Sequence, residues 1–495
     1  MIISLTASAD TYITNKIIDG TRAIDSNVGK AGTLDLFSLY DESGESNSRE
    51  VSRILIKFDT SNLNQLTSSI LDIKNFKSIL KLKNISTGHP CPSNFTISVF
   101  PLALDFEEGS GRDVVSYVDQ DICNYVTASK LNVWNLSGCL SGGDISSSNI
   151  DYITTANFGS GIENLEFKQF FKSGLEDLEI DVSNFVSASI AGIIENKGFR
   201  VSYTGSQEND NVSLFVKRFG SRHVKNQNLI PELIIKFDDS IIDERNSLFF
   251  NSTGSIYLIS KNDSTFTNLK NLSGQQLIGS NCLIVTLSTG SFSASFVGSQ
   301  KNIGDNITGF YFSNVSISED DSSIVSGSKS LSDYIKEKQS IIFKEEWKTI
   351  DGSKIFASNT LEIKKENVST SSTDRVKIIV RCDGPTKVEK NQIFKTKVLF
   401  YDILVEETAR KFSYLRQPLK IKNALYRIRD LQSNEIVYDF NEDFTKLSLD
   451  SNGNYCSISC SALPVGRPLT IEFKINYKGN EFIIYDSNYI IDVKV

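Results

Sequence analysis

Arg53-Ile54-Leu55-Ile56-Lys57-Phe58-Asp59 is the stretch that decides the fold class. Ile54, Ile56 and Phe58 recur at every second position, with Arg53, Leu55 and Lys57 between them. A period of two is the repeat of a β-strand, whose side chains alternate between faces. The pattern predicts a strand with one face on a core and one toward solvent. The same alternation recurs at Phe199–Tyr203, Glu232–Phe237, Val376–Cys382 and Leu469–Tyr477. Turn residues fit between such runs. Asp351-Gly352 separates KEEWKTI from SKIFAS, and Asn452-Gly453 separates TKLSLDS from NYCSIS. Both dipeptides take positive φ readily, as tight hairpins require.

Two stretches break the alternation. Val114, Val118, Ile122 and Val126 stand four apart, which predicts a helix over Val114–Ser129. Val182, Phe185, Val186, Ile190, Ile193 and Ile194 predict a second over Asp181–Gly198, with Asp181 or Ser183 as its cap and Gly198 as its stop. The second half shows only one expected helical turn, near Ser332–Lys338. The expectation is a mainly β chain.

Length and composition bound the function. The chain has 495 residues, 39% hydrophobic and 23% charged, enough for about three domains of roughly 100–200 residues. Its net charge of −8 opposes non-specific attraction to nucleic acid. His89 and His223 are its two histidines, which leaves little room for histidine catalysis or a multi-histidine metal centre. No apolar run has the length of a membrane-spanning helix. The opening MIISLTASADTYIT has neither the basic start nor the apolar stretch of a secretory signal, so synthesis in a cytoplasm without export is expected. Seven cysteines (Cys91, Cys123, Cys139, Cys282, Cys382, Cys456 and Cys460) are scattered and odd in number, as buried free thiols are in a reducing compartment. Cys456-x-x-x-Cys460 is the one close pair, and no second pair or histidine follows it to complete a zinc site.

Charged or Ser/Thr-rich stretches at Asp238–Asn246 and Glu366–Asp374 suggest boundaries. They divide the chain into 1–240, 241–368 and 369–495. The last two have the size of immunoglobulin-like sandwiches without the Cys…Trp…Cys spacing of antibody domains.

Several pieces of the first segment fall in a telling order: Ala9-Asp10-Thr11-Tyr12-Ile13, Asn27-Val28-Gly29 with Leu34, the Arg53–Asp59 strand, and Phe106-Glu107-Glu108-Gly109-Ser110-Gly111. Trp134, Asp181-Val182-Ser183, Asn196-Lys197-Gly198-Phe199, Phe219-Gly220-Ser221-Arg222 and Pro231-Glu232-Leu233 follow. This order, spread over most of residues 7–237, resembles the DNRLRE-type domain, a jelly-roll-like β-sandwich family related to carbohydrate-binding modules. The family's eponymous hexapeptide is absent, and Phe106 stands where the family often has tryptophan. The resemblance implies an N-terminal jelly-roll-like β-sandwich with two short helices. Such domains occur in secreted bacterial and archaeal proteins and in virion proteins of tailed phages. Leu447–Tyr455 and Leu463–Phe473 resemble the immunoglobulin-like parts of the latter.

Candidate sites are few. Asp10 and Asp59 sit at motif positions, and Glu107 and Glu108 are flanked by glycine. All four are candidate Ca2+ ligands, and Glu107 with Glu108 is also a candidate sugar-loop or acid/base pair, but all four suit carboxylates that close turns better. Phe106 and Trp134 are candidates for stacking on sugar, as is Trp347, against the alternative that they are core aromatics. Glu319-Asp320-Asp321 reads as a solvated loop. His223 has no nucleophile motif beside it, and there is no phosphate-binding glycine loop and no H-E-x-x-H. No catalytic residue and no cofactor other than Ca2+ is assigned.

The reading is a non-enzymatic structural component of a tailed-phage virion, in the neck or tail. Its expected partners are other virion proteins and symmetric copies of itself, with no nucleic acid and no membrane. The alternative is a carbohydrate-binding adhesin gripping host surface polysaccharide through its first domain. A lyase-type depolymerase stands third, short of the histidines it needs.

Overall fold

Arg53–Phe58 lies in a strand, Ser48–Phe58, and around Arg53–Ile56 that strand is buried on both faces. Ile54, Ile56 and Phe58 lie in the core, as expected, but Leu55 and Arg53 are buried too. The expectation of a solvated second face is thus corrected. The reason is a covering layer: Leu55 and Ile13 pack against Leu102, Phe106, Cys123, Ala128, Trp134 and Cys139. An excursion between Pro101 and Phe167 roofs one face of the sheet.

The computed structural model describes residues 1–495 except 42–47, 65–75, 87–92, 158–160, 212–213, 239, 246–247, 263–264, 304, 339, 366–376, 403–417, 451 and 495. His89, Cys91 and the boundary segment Glu366–Asp374 therefore lie outside the described residues. The chain is mainly β and forms two compact units, one of Ile3–Leu66 with Phe76–Lys236, the other chiefly Phe237–Val495.

In the first unit one sheet runs Phe167–Phe171, Phe95–Pro101, Phe199–Tyr203, Ser48–Phe58, Ile2–Thr14, Glu232–Lys236, Lys77–Leu82, Leu178–Asp181, and Thr33–Asp41 links Leu214–Gly220 to Ser48–Phe58. Aromatic rings fill its core. Phe95 stacks on Phe171 with centroids 5.0 Å apart, and Phe185 meets Phe199 edge-on at 5.1 Å. Both geometries suit the ring quadrupole.

The helix expected over Val114–Ser129 does not form; the segment is turns and bends. Short polar side chains capture the backbone there before a helical ladder can. Asp113 accepts the Val115 and Ser116 N–H groups, and Asn124 accepts those of Val126 and Thr127, the local competition that disfavours helix interiors. The second expected helix is real but shorter, Ser183–Ile190, and buries Phe185, Val186, Ala188 and Ile190. Gly198 lies beyond it, and its absent Cβ makes room: one built there would stand 2.5 Å from the Ile56 carbonyl oxygen, at φ +99°. A further short helix, Gly205–Asn209, was not expected.

The second unit carries two separate cores. The first lies under a seven-stranded sheet ordered Leu248–Phe249, Ile355–Lys364, Ser340–Lys348, Leu283–Thr289, Phe292–Ile303, Asp305–Val315, Gly254–Ile259. It centres on Trp347, Phe343, Tyr311 and Ile256. The expected helical turn is the helix Leu331–Glu337, begun by a reciprocal capping box between Ser330 and Asp333. The second core lies between two sheets and is crossed by Phe400 and Phe473, whose rings meet edge-on at 5.9 Å. One sheet contains Ile378–Asp383, Ile393–Asp402, Gly453–Ser459 and Ser448–Asp450; the other is built around Pro468–Tyr477. This is a β-sandwich. No helix among the described residues is long and apolar enough to cross a membrane.

Candidate functional site

The motif residues of the first unit converge on one loop. Asn27 is buried and its side chain makes four hydrogen bonds. Its side-chain oxygen accepts the N–H groups of Gly111, at 2.8 Å, and Gly29, at 3.2 Å. Its amide donates to the carbonyls of Glu108, at 2.9 Å, and Cys123, at 2.8 Å. A Cβ at Gly29 would stand 1.9 Å from the Glu108 carbonyl oxygen, and one at Gly111 only 1.8 Å from that of Asn27. The glycines are there because the two loops touch backbone to backbone.

Glu108 and Asp10 meet beneath this loop. The Asp10 N–H donates to Glu108 Oε1 at 2.9 Å. Arg222 Nε lies 2.9 Å and His223 Nε2 3.3 Å from the same oxygen. The Arg222 N–H donates to Asp10 Oδ2 at 2.6 Å, and Arg222 Nη1 also donates to the Ser8 carbonyl. Asp10 Oδ1 is buried without a hydrogen-bond partner. Burial pushes the Asp10 carboxyl up to about 7; Glu108 adds to this, and the Arg222 N–H opposes it. The cluster ties the first strand, the glycine loop and the segment after Gly220 together.

The other two Ca2+ candidates stand apart from it. Asp59 is exposed and accepts the Ser61 N–H at 2.9 Å; the Ser61 hydroxyl, with that N–H, holds its carboxyl below the ordinary range. Glu107 accepts the Lys130 N–H at 3.1 Å. No group of three or more His, Cys, Asp or Glu placed to hold a metal exists among the described residues, Cys456 and Cys460 included.

The sugar-stacking candidates are also placed otherwise. Phe106 is 6% exposed and Trp134 4% exposed, both in the layer over Leu55, and the Trp134 indole N–H donates to the Asn124 carbonyl at 2.9 Å. Neither ring offers a face to a ligand, so the stacking role is corrected to a packing one. Trp347 is fully buried and donates to Glu345 at 2.5 Å.

Sequence reasoning missed a second buried cluster in this unit. Arg53 donates through Nε and Nη2 to Glu208 at 2.9 and 3.1 Å, and through Nη1 to the Gly138 carbonyl at 2.8 Å. Arg200 Nη2 lies 3.8 Å from Glu208, its Nε donates to the Cys139 carbonyl at 3.0 Å, and its guanidinium covers the Tyr152 ring at 4.6 Å. Asp151, also buried, accepts from the N–H groups of Asn135, Leu136 and Ser141. Cys139, beside this group, is pushed up to about 12 by burial. The signal available in sequence was small: a cation inside a strand pattern, at Arg53 before Ile54-Leu55-Ile56 and at Arg200 between Phe199 and Val201. Chemically, both clusters bind chain to chain. Their polar atoms face one another, Asp10 Oδ1 excepted.

No protein-family profile matches the chain, and no curated protein matches it. Among solved structures, a marsupial T cell receptor aligns over 49% of this chain and 68% of its own, at 7% identity and a TM-score of 0.16. An Escherichia coli alpha-2-macroglobulin activated by porcine elastase aligns over 100% of this chain and 44% of its own, at 8% identity and a TM-score of 0.18. At such scores the alignments add nothing to the fold described above.

Proposed function

We propose that this chain is a structural component of a tailed-phage particle, in its neck or tail, and acts through contacts with neighbouring virion proteins and with copies of itself. The reading rests on the motif order of the first unit and on one structural observation. The layer that roofs the first sheet keeps its inner side packed and turns apolar side chains outward. Leu131 is 89% exposed and Val133 64%, with Val115, Val118 and Leu136 also exposed in the same excursion. Apolar side chains gathered on a segment fixed by its own hydrogen bonds suit a surface that a partner covers.

The test is direct. Purified particles should contain the chain in stoichiometric copy number, visible as a symmetric ring or row at neck or tail. Leu131→Asp with Val133→Asp should leave the chain folded and exclude it from particles. Absence of the chain from particles overturns the proposal.

A further inference from the structure

The edge strand Gly254–Ile259 of the second unit points Ile256 into its core and turns Tyr257 and Ile259 outward, beside Phe312 and Phe310 of the neighbouring strand. On the same face Lys301 Nζ lies 6.0 Å from the Tyr257 ring centre and 5.9 Å from that of Phe312. The strand pair Lys261–Asn262 and Thr265–Phe266 adds Phe266, 43% exposed, whose ring is 4.8 Å from that of Phe310. Lys261 Nζ stands 4.6 Å over Phe266. Four aromatic rings thus share one strip with two ammonium groups against them. Lys395, whose Nζ is 3.4 Å from the Tyr455 ring centre, lies within electrostatic reach of Lys261 and Lys397. Burial, reinforced by those two lysines against Asp450, holds Lys395 below the ordinary lysine range.

Cations crowded beside the exposed Phe266 and the half-buried Tyr257, Phe310 and Phe312 call for a ligand with rings of its own and negative charge along its length. Asp450 near Lys395, and Asp243 and Glu244 near Tyr257, break up the positive charge. That suits anionic groups spaced by sugar rings better than the closely spaced phosphates of nucleic acid, as does the net charge of −8. We propose that this strip binds an acidic polysaccharide, with a sugar ring against the exposed Phe266 beside Phe310 and carboxylate or sulfate groups on Lys261 and Lys301. The inference goes beyond the assembly role and does not depend on it.

Affinity electrophoresis of the full chain tests it, in gels containing alginate (carboxylate), dextran sulfate (sulfate) or plain dextran. Retardation is expected in alginate or dextran sulfate and absent in dextran. Phe266→Ala with Lys261→Ala should weaken it by about fivefold or more, the loss of one stacking and one ionic contact. Lys329→Ala, elsewhere in the unit, should not. If the double variant fails to fold, Lys301→Gln, which keeps the side chain's bulk, gives the decision. The proposal is overturned by migration unaffected in both acidic gels, by variants that bind like the parent chain, or by single-stranded DNA that displaces the polysaccharide at equal charge.

Discussion

Glu208 holds Arg53 with two hydrogen bonds in the interior of the first unit, although 155 residues separate them. Arg200 shares the same carboxylate, its Nη2 3.8 Å from Oε2. Removing the carboxylate leaves two guanidinium groups facing each other away from water. Glu208→Ala should therefore destabilise the first unit by about 3–5 kcal/mol. Denaturant unfolding followed with probes in each unit checks this: the first unit's transition should move, and the second's should stay.

Gly29 and Gly32 make a matched pair. A Cβ at Gly29 meets the Glu108 backbone, whereas one at Gly32 meets nothing within 4 Å. Gly29→Ala should cost about 1–3 kcal/mol or more, because backbone must shift to admit the methyl group, and Gly32→Ala should be close to neutral. Thermal midpoints of the two variants measured side by side decide the matter.

The Asp10 carboxyl predicts a pH dependence of definite sign. Its folded-state value of about 7 lies above the ordinary carboxylate range. Between about pH 4 and 7 the unfolded chain has released this proton and the folded chain keeps it, so stability falls as pH rises through that window. Asp10→Asn removes the term while Glu108, Arg222 and His223 still face the site. The stability of the parent chain relative to this variant should decline by roughly 2–4 kcal/mol from pH 4 to pH 7, measured as urea midpoints. A difference independent of pH would refute the assignment.

Phe106 and Trp134 should behave as core residues. Phe106→Ala should cost about 3–5 kcal/mol. Tryptophan emission should be that of shielded indoles, with little quenching by acrylamide and no shift on adding sugar. An accessible emission from Trp134, isolated by Trp347→Phe, would contradict the packing described.

The strands were legible because alternation reports backbone period directly. Ile54-x-Ile56-x-Phe58 needed no tertiary information to be placed. Whether Leu55 was wet or dry did need it, because the residues that roof it lie between Leu102 and Cys139 and come to it only through the fold. The false helix over Val114–Ser129 shows the opposite limit. Four apolar residues at the right spacing lost to Asp113 and Asn124, whose side-chain oxygens accept from backbone N–H groups two and three residues on. At the candidate site, Asn27, Glu108 and Gly111 stood out as residues, but their purpose did not: a buried asparagine serving four backbone groups looks in sequence like any other Asn-x-Gly turn. Arg222 and Asp10 lie 212 positions apart, a distance no local pattern spans.

The roof over Leu55 sets a practical limit on how this chain can be taken apart. A trimmed version that keeps the strands and drops the excursion would uncover Leu55 and Ile13 and strip Arg53 and Arg200 of the Gly138 and Cys139 carbonyls. Fusion tags, shortened variants and swapped insertions therefore belong elsewhere, since what looks on paper like a dispensable decoration closes one side of the interior.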